Sequence, residues 1–407
     1  MRFFLPLFIP LLLLAWEVPD RRKDQFVAEQ GYLFMPAPYS MPGIGEGVAF
    51  YGGFNNYLGQ SDLFGVQTVG DAEGTLLGLW DLHLIKRRWF VDVTYLNFSK
   101  TGINQYSVRG MDSSSDDYAV AAMDRFENLI IKNTLAFDER RFEISAEYVR
   151  QRFRLTELLD ADGNLLSSID DPKLRSGENI SLRVLWDLTD DRQDPLRGVR
   201  MGAELSKSPR SSSADPDFYT LGLNVAGYIP VGRQSTWVWS YMASQANVSA
   251  RGELDRAAIA ANLGYGCYPA CSQAALEQIE NEYLYNRYGN AKDLGGENRL
   301  RAYPGGRFKG AHSQMIGTEL RLNFSAERKP VDFLLMRDIR TGIQLALFHE
   351  VGTVAERASD LWSETRSASG LGVRFVMGSG FVYRFDYAVG DEGSQMVIFV
   401  SYPWEEL

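Results

Sequence analysis

The sequence predicts an all-β fold, namely a transmembrane antiparallel β-barrel of about sixteen strands with a long sixth outer loop that folds inward. Three observations support this prediction. Apolar and polar residues alternate in many short segments, long and short connections alternate along the chain, and no segment after residue 16 has the apolar length of a transmembrane helix. The composition agrees, because the 407 residues include 20 Tyr, 23 Phe and 38 Gly but only 15 Pro.

The N-terminal segment is continuously apolar over residues 3–16, between Arg2 and the polar Glu17. It is shorter than the roughly 20 residues that span a bilayer, so it is typical of a signal peptide, with a short buried helix as the alternative. We therefore expect a signal peptide at 1–16, a periplasmic N-terminal arm at 17–30, the outer-membrane barrel at 31–404 and a C-terminal extension at 405–407. An exported chain without a membrane helix can cross lipid only as a closed barrel.

Period-two alternation is clear over residues 316–324 and 381–387. In the first segment Ile316 and Leu320 share one face, and Glu319 and Arg321 share the other. Successive side chains of a strand point to opposite faces, so each segment has one apolar side and one polar side. The polar faces mix arginine, carboxylate and glycine, which favours a barrel with lipid outside and a polar interior. The predicted lumen-facing residues are Glu319, Arg321, Arg374, Arg384 and Asp386.

Connection lengths give a separate test of the barrel prediction. Counted back from the C-terminus, short connections such as 137–141 and 230–234 fall at periplasmic positions, and long polar ones such as 158–177 and 249–311 fall at outer positions. This alternation is expected of a membrane barrel. The connection 326–340 is an exception, because it is long for a periplasmic turn. A sixteen-stranded barrel is too wide to be filled by strand side chains alone, and the 249–311 loop is long enough to fold inward.

The remaining composition limits partners and cofactors. A net charge of -10 and the lack of a basic stripe argue against nucleic-acid binding. Cys267 and Cys271 are close in sequence and favour a disulfide in an oxidising compartment, with two free thiols as the alternative. None of the three His is near them, so we expect no metal site and no cofactor.

Two motifs resemble a known family. Leu300-Arg301-Ala302-Tyr303 is similar to the tip of the sixth loop in the BamA/TamA-like outer-membrane assembly and transport superfamily (the bacterial surface antigen family), with alanine where that family usually has glycine. The segment 348–352 is similar to the family's strand motif, with Glu350 in place of aspartate. The resemblance implies that Arg301 pairs with Glu350 in the lumen, beside Phe348 and Gly352. The alternative is that Arg301 is a solvated loop arginine.

The last strand, predicted at 394–404, is similar to the C-terminal insertion signal of the family. The signal residues would be Met396, Ile398, Val400, Tyr402 and Trp404. This resemblance implies that the assembly machinery of the outer membrane inserts the chain.

The resemblance implies a non-enzymatic role in protein or lipid translocation or insertion at the bacterial outer membrane, through a weak seam between the first and last strands and a movable sixth loop. Only about fifteen residues separate the apolar segment from the first strand, which resembles a barrel-only branch of the family. Client capture would then need a separate periplasmic partner, or it does not occur. Outer-membrane lipids are the other expected partner. The alternatives are a passive channel or surface-exposed barrel, and an outer-membrane hydrolase. Adjacent strand residues such as His312 and Ser313 point to opposite faces, which disfavours the hydrolase.

Overall fold

The computed structural model describes residues 30–404, apart from 116–117, 161–162, 169–171, 211, 213, 233–234, 264, 326–329, 334 and 378–380. The predicted signal peptide, most of the N-terminal arm and the C-terminal extension lie outside the described residues. Over these described residues the fold is all-β, as the alternating sequence predicts, with two α-helices in one outer loop. Within the described part of the chain, no helix is long and apolar enough to cross a membrane.

The strands follow one another with few interruptions. They are β1 (Gly31–Met41), β2 (Gly45–Tyr57), β3 (Ser61–Gly70), β4 (Glu73–Ile85), β5 (Trp89–Tyr106), β6 (Tyr118–Phe137), β7 (Phe142–Leu159), β8 (Leu165–Ser168), β9 (Arg175–Asp187), β10 (Gly198–Lys207), β11 (Asp217–Val231), β12 (Ser235–Ala250), β13 (His312–Ser325), β14 (Pro330–Phe333), β15 (Met336–Ala355), β16 (Arg366–Met377), β17 (Phe381–Gly390) and β18 (Gly393–Val400).

Sixteen of these strands form a closed antiparallel barrel, which confirms the predicted architecture. The short strands β8 and β14 are additions, and they pair with β7 and β15 respectively. The barrel closes where β1 meets β18. Closure brings the two edges of the sheet together, which limits the unpaired backbone groups that lipid would meet.

The two faces of the wall differ as the alternation predicts. Ile316 and Leu371 are each 51% exposed on the outer face, whereas Glu319 is fully buried inside. This arrangement places apolar side chains where lipid surrounds the barrel and charged side chains in its lumen.

The connection 326–340, which is too long for a simple periplasmic turn, contains a β-hairpin formed by β14 and the start of β15. The start of β15 also pairs with the start of β1, at Tyr32–Arg337 and Leu33–Met336. In addition, the amide of Phe34 donates to the carbonyl of Leu335 at 2.9 Å. The extra length of this connection therefore allows the start of β15 to pair with the start of β1 on the periplasmic side.

The sixth outer loop connects β12 to β13 and carries α1 (Arg256–Asn262) and α2 (Gln273–Tyr288). Asp255 and Ser272 accept hydrogen bonds from the first-turn amides of the two helices, as N-cap residues do. Ile259 and Ile279 pack between the helices, and a disulfide joins Cys267 to Cys271. The two helices precede the part of the loop that enters the lumen.

The last strand is shorter than the sequence suggests. The prediction of a strand over 394–404 is wrong at its end, because β18 stops at Val400. Ser401 has a φ of 87°, which turns the chain out of the sheet, and Pro403 has no amide to donate to a ladder. The alternation of residues continues past Val400, although the strand ends there.

Candidate functional site: the sixth loop and the barrel seam

The tip of the sixth loop is held inside the barrel as a compact antiparallel turn. Leu294 and Phe308 form a β-bridge at its base, with amide-to-carbonyl distances of 3.0 and 3.1 Å. The left-handed residue is Leu300, with a φ of 46°, and not Ala302. Alanine therefore occupies the family's glycine position without backbone strain. Gly352 leaves room for the tip, since a Cβ there would lie 2.7 Å from the side chain of Leu294.

Arg301 lies in the lumen and is fully buried. Its Nε donates to Glu350 Oε1 at 3.0 Å, and its backbone amide donates to the other Glu350 oxygen at 2.8 Å. Its Nη1 donates to Asp386 Oδ2 at 2.6 Å. The guanidinium lies 3.4 Å from the ring centroid of Phe348, a cation–π distance. The structure thus brings together residues from the loop, β15 and β17.

Further arginines extend this cluster across the inner wall. Glu319 accepts from Arg374 Nη1 at 2.5 Å and from Arg321 Nε at 2.8 Å. Arg384 donates to Asp386 at 2.9 Å. We call these side chains the lumen cluster; its members are Arg301, Glu319, Arg321, Glu350, Arg374, Arg384 and Asp386, each at most 1% exposed.

The burial of the lumen cluster makes its pairing obligatory. Removing charges from water costs several kcal/mol each, which only close partners offset. For Arg301, burial opposes the charge, but the carboxylates of Glu350, Asp386 and Glu319 outweigh it and raise the pKa above its ordinary value. Arg301 therefore remains charged, and withdrawing it would leave three buried carboxylates short of a partner.

Arg307 is a second anchor of the loop, a role that no sequence motif indicated. It is fully buried and pairs with Glu392, in the turn between β17 and β18, at 2.6 Å. It also donates to the carbonyl of Ser113 in the outer loop after β5 at 2.5 Å. Glu392 is far from Arg307 in sequence, so no local pattern could have indicated the pair. The loop is therefore fixed both to the lumen wall and to two other outer loops.

The seam between β1 and β18 is the weakest part of the wall. Their ladder has one residue pair, Ser40–Ile398, whereas β1 pairs with β2 over the whole of Gly31–Met41. Two side chains reinforce it, because the hydroxyl of Ser40 donates to the carbonyl of Met396 at 3.0 Å and that of Tyr383 donates to the carbonyl of Pro38.

Two prolines explain why the seam is short. Residues of one parity in a strand direct their amides to the same side. The amide of Phe34 points away from β2, towards Leu335, so positions 36, 38 and 40 also face the seam. Pro36 and Pro38 supply no N–H there. The edge of β1 that faces β18 consequently lacks two of its ladder donors.

Below Ser40, β1 lies over the outer face of the last strands. Phe375, Tyr383 and Ile398 point outward, since their neighbours Arg374, Arg384 and Val397 are buried inside. Ala37 nevertheless packs against Tyr383 and Ile398, and Leu33 packs against Phe375. The two ends of the sheet therefore overlap instead of meeting edge to edge.

The residues predicted as an insertion signal separate into two groups. Met396 and Val400 are 55% and 38% exposed on the outer face, and Ile398 is covered by β1. Tyr402 and Trp404 do not continue that face. They lie in the lumen, at 1% and 4% exposure.

The other candidate residues are spread along the chain. Ser313 points into the lumen and donates to the carbonyl of Lys292 at 2.6 Å. Its neighbour His312 lies on the opposite face of β13, so the two are not placed to act together. Among the described residues, no three His, Cys, Asp or Glu side chains form a metal-binding group.

These features define an outer-membrane β-barrel with a lumen plugged by its own sixth loop. The match to the Omp85 superfamily domain covers residues 100–398, so the chain belongs to the Omp85 superfamily, which comprises transporters and insertases of the bacterial outer membrane. The superfamily is the one that the two sequence motifs resemble.

Three solved structures are similar to this chain at low sequence identity. BamA from Haemophilus ducreyi lacking POTRA domains 1-3 is 12% identical, with a TM-score of 0.45, over 91% of this chain and 69% of that chain. CdiB from Escherichia coli is 12% identical, with a TM-score of 0.49, over 91% of this chain and 61% of that one. CdiB from Acinetobacter baumannii is 10% identical, with a TM-score of 0.49, over 91% and 59%. No curated protein sequence matches the chain.

Proposed function

We propose that this protein moves or inserts proteins or lipids at the outer membrane by opening the seam between β1 and β18. Membership of the Omp85 superfamily supports the general role. The observation that carries the specific proposal is the single residue pair, Ser40–Ile398, between the two strands. Opening this seam breaks far fewer backbone hydrogen bonds than opening any neighbouring pair of strands.

The sixth loop fits this role as a removable plug. Its tip is bound by ion pairs and hydrogen bonds, not by covalent links, and its cluster partners are on β13, β15, β16 and β17, close to the seam. A change at the seam can therefore reach the plug through one to four strands. The partners that we propose are outer-membrane lipids, the machinery that inserts the barrel itself, and a separate periplasmic protein that delivers the client.

A passive channel is the second candidate function, and one observation favours it. A cavity of about 1070 Å³ lies on the far side of the lumen, lined by β7, β9, β10, β11 and the loop. Its lining includes Glu147, Glu204 and Lys292, which suits water and small solutes. Steady, solute-selective conductance that does not depend on the seam would favour this function over the first.

Locking the seam distinguishes the two candidates. The variant pair Ser40→Cys and Ile398→Cys would join the strands at their one paired position. The matched control is Ala203→Cys with Leu223→Cys, which joins β10 to β11 where they are already paired. Two probes are used in liposomes: insertion of an unfolded small outer-membrane barrel, and transbilayer movement of a fluorescent phospholipid.

We expect the oxidised seam pair to abolish whichever of these activities the wild type shows, and reduction to restore it. The control pair should leave that activity unchanged. If the locked barrel is as active as the control, or if the wild type shows neither activity, the proposal is rejected.

Charge reversal at the loop tip tests the plug. Arg301→Glu places a negative charge among Glu350, Asp386 and Glu319, so we expect the loop to leave the lumen and ion conductance in planar bilayers to rise. Arg251→Glu is the control, because Arg251 is exposed at the start of the same loop. Equal conductance of the two variants would show that Arg301 does not hold the plug.

A further inference from the structure

The first four residues after β18, which are the ones described, connect the seam to the plug from inside the barrel. Ser401 and Trp404 have positive φ values of 87° and 67°, which bend the chain into the lumen. Tyr402 and Trp404 are buried there, whereas Val400 is still on the outer face. We call Ser401–Trp404 the inner tail. It is covalently continuous with the strand that forms one side of the seam.

Trp404 contacts the same carboxylate that holds Arg301. Its indole Nε1 donates to Glu350 Oε1 at 2.7 Å, the oxygen that also accepts from Arg301 Nε at 3.0 Å. Its carbonyl accepts from Asn224 Nδ2 at 2.5 Å. The ring occupies space left by Gly317, since a Cβ on that glycine would lie 2.6 Å from the indole.

Tyr402 fixes the inner tail at a second point. Its hydroxyl donates to Asp194 Oδ1 at 2.8 Å, in the periplasmic connection between β9 and β10. Arg321, a member of the lumen cluster, lies 4.0 Å from the centroid of the tyrosine ring. The inner tail thus reaches the lumen cluster, the opposite wall and a periplasmic turn.

We propose that the inner tail couples the seam to the plug, with Trp404 as a residue that positions Glu350 for Arg301. The inference rests on the proposed function, because it assumes that β18 moves when the seam opens. The single backbone pair of the seam contributes little against such movement, and the buried contacts of Tyr402 and Trp404 contribute more. When β18 moves away, Trp404 must leave Glu350, and the carboxylate loses the donor that orients it. The loop tip is then released in the same step.

The test is the frequency of channel opening in planar bilayers, which needs no client. Trp404→Phe keeps an aromatic ring and removes the N–H. Since a hydrogen bond to a charged group contributes about 1.5–3 kcal/mol, we expect at least about tenfold more opening events. The control is Trp237→Phe on β12, whose indole donates to Thr318 at 2.6 Å on the outer face. It loses an indole hydrogen bond that does not involve the lumen cluster, and it should open like the wild type.

Coupling has a signature that simple destabilisation lacks. Arg301→Lys and Trp404→Phe act on one carboxylate, so the double variant should open no more often than the more active single variant. Additive effects would overturn the proposal, as would equal opening of Trp404→Phe and Trp237→Phe.

Asn224→Ala provides a second route if Trp404→Phe does not fold, as judged by unheated electrophoresis. It releases the Trp404 carbonyl and should also raise the opening frequency; an unchanged frequency would overturn the proposal. The outcome is separable from the proposed function. A seam lock that fails to stop insertion or lipid movement rejects that function, whatever the opening frequencies show.

Discussion

The two halves of the lumen are lined by the same kinds of charged residues, but one half is filled and the other contains a cavity. The half lined by β13 and β15–β17 is filled by the loop tip, and its charged side chains are fully buried. The half lined by β7 and β9–β11 contains the cavity of about 1070 Å³, and its ion pair of Glu204 with Lys292 keeps 12% and 21% side-chain exposure. A polar inner face therefore does not by itself determine whether a barrel is plugged. The loop determines it.

The largest expected difference between the halves concerns a single carboxylate. Glu319→Gln should destabilise the barrel by about 3–5 kcal/mol, because it leaves Arg374 and Arg321 buried without their partner. Glu204→Gln should cost less than about 1 kcal/mol, since water in the cavity can solvate Lys292. Urea titration of the barrel in detergent, followed by unheated electrophoresis, measures both. Similar losses would show that the halves do not differ in dielectric environment.

Alanine substitution of two glycines, one in each half of the lumen, gives the second-largest expected effect on stability. Gly317→Ala should cost about 1–3 kcal/mol, because its Cβ would lie 2.6 Å from the ring of Trp404 in the filled half. Gly222→Ala, whose Cβ would have no neighbour closer than 3.9 Å, should be neutral or slightly stabilising. The same urea titration compares them. If Gly317→Ala is also neutral, the inner tail does not pack as tightly as its geometry indicates.

The smallest expected effect concerns the access of water to the two halves and leaves stability unchanged. Ser206→Cys faces the cavity, whereas Ser240→Cys replaces a residue that is 1% exposed. A charged, membrane-impermeant thiol reagent should label the first at least about tenfold faster, because the second requires a local opening. The native cysteines form a disulfide and should not react. Equal labelling rates would indicate that water reaches both halves.

The fold could be predicted from the sequence because lipid and lumen impose a strict period of two. The faces of Ile316 and Glu319 follow directly from it, and so do the strand number and most connections. The approximate position of the loop tip came from the resemblance of the motifs around Arg301 and Glu350 to those of the superfamily. Their roles remain predictions until the variants are measured.

The rest depended on contacts that local patterns do not encode. Residues 396–404 keep their alternation, so the end of β18 at Val400 could not be located, and only Pro403 signalled a break. The partner of Arg307 is 85 residues away, at Glu392. The sequence indicated the hairpin of β14 and β15 only through the exceptional length of the connection 326–340. Its pairing with β1 joins residues about 300 positions apart, which no local pattern encodes.

The prolines at positions 36 and 38 have a consequence for what happens when the barrel is open. An exposed strand edge is a template for uncontrolled pairing with other chains, and repeated pairing leads to aggregation. An edge that lacks two amide donors can accept hydrogen bonds at those positions but cannot donate them. An exposed strand of another chain could therefore form only an incomplete hydrogen-bond ladder with β1. We therefore expect an open barrel to associate less readily, through this edge, with other barrels in the membrane.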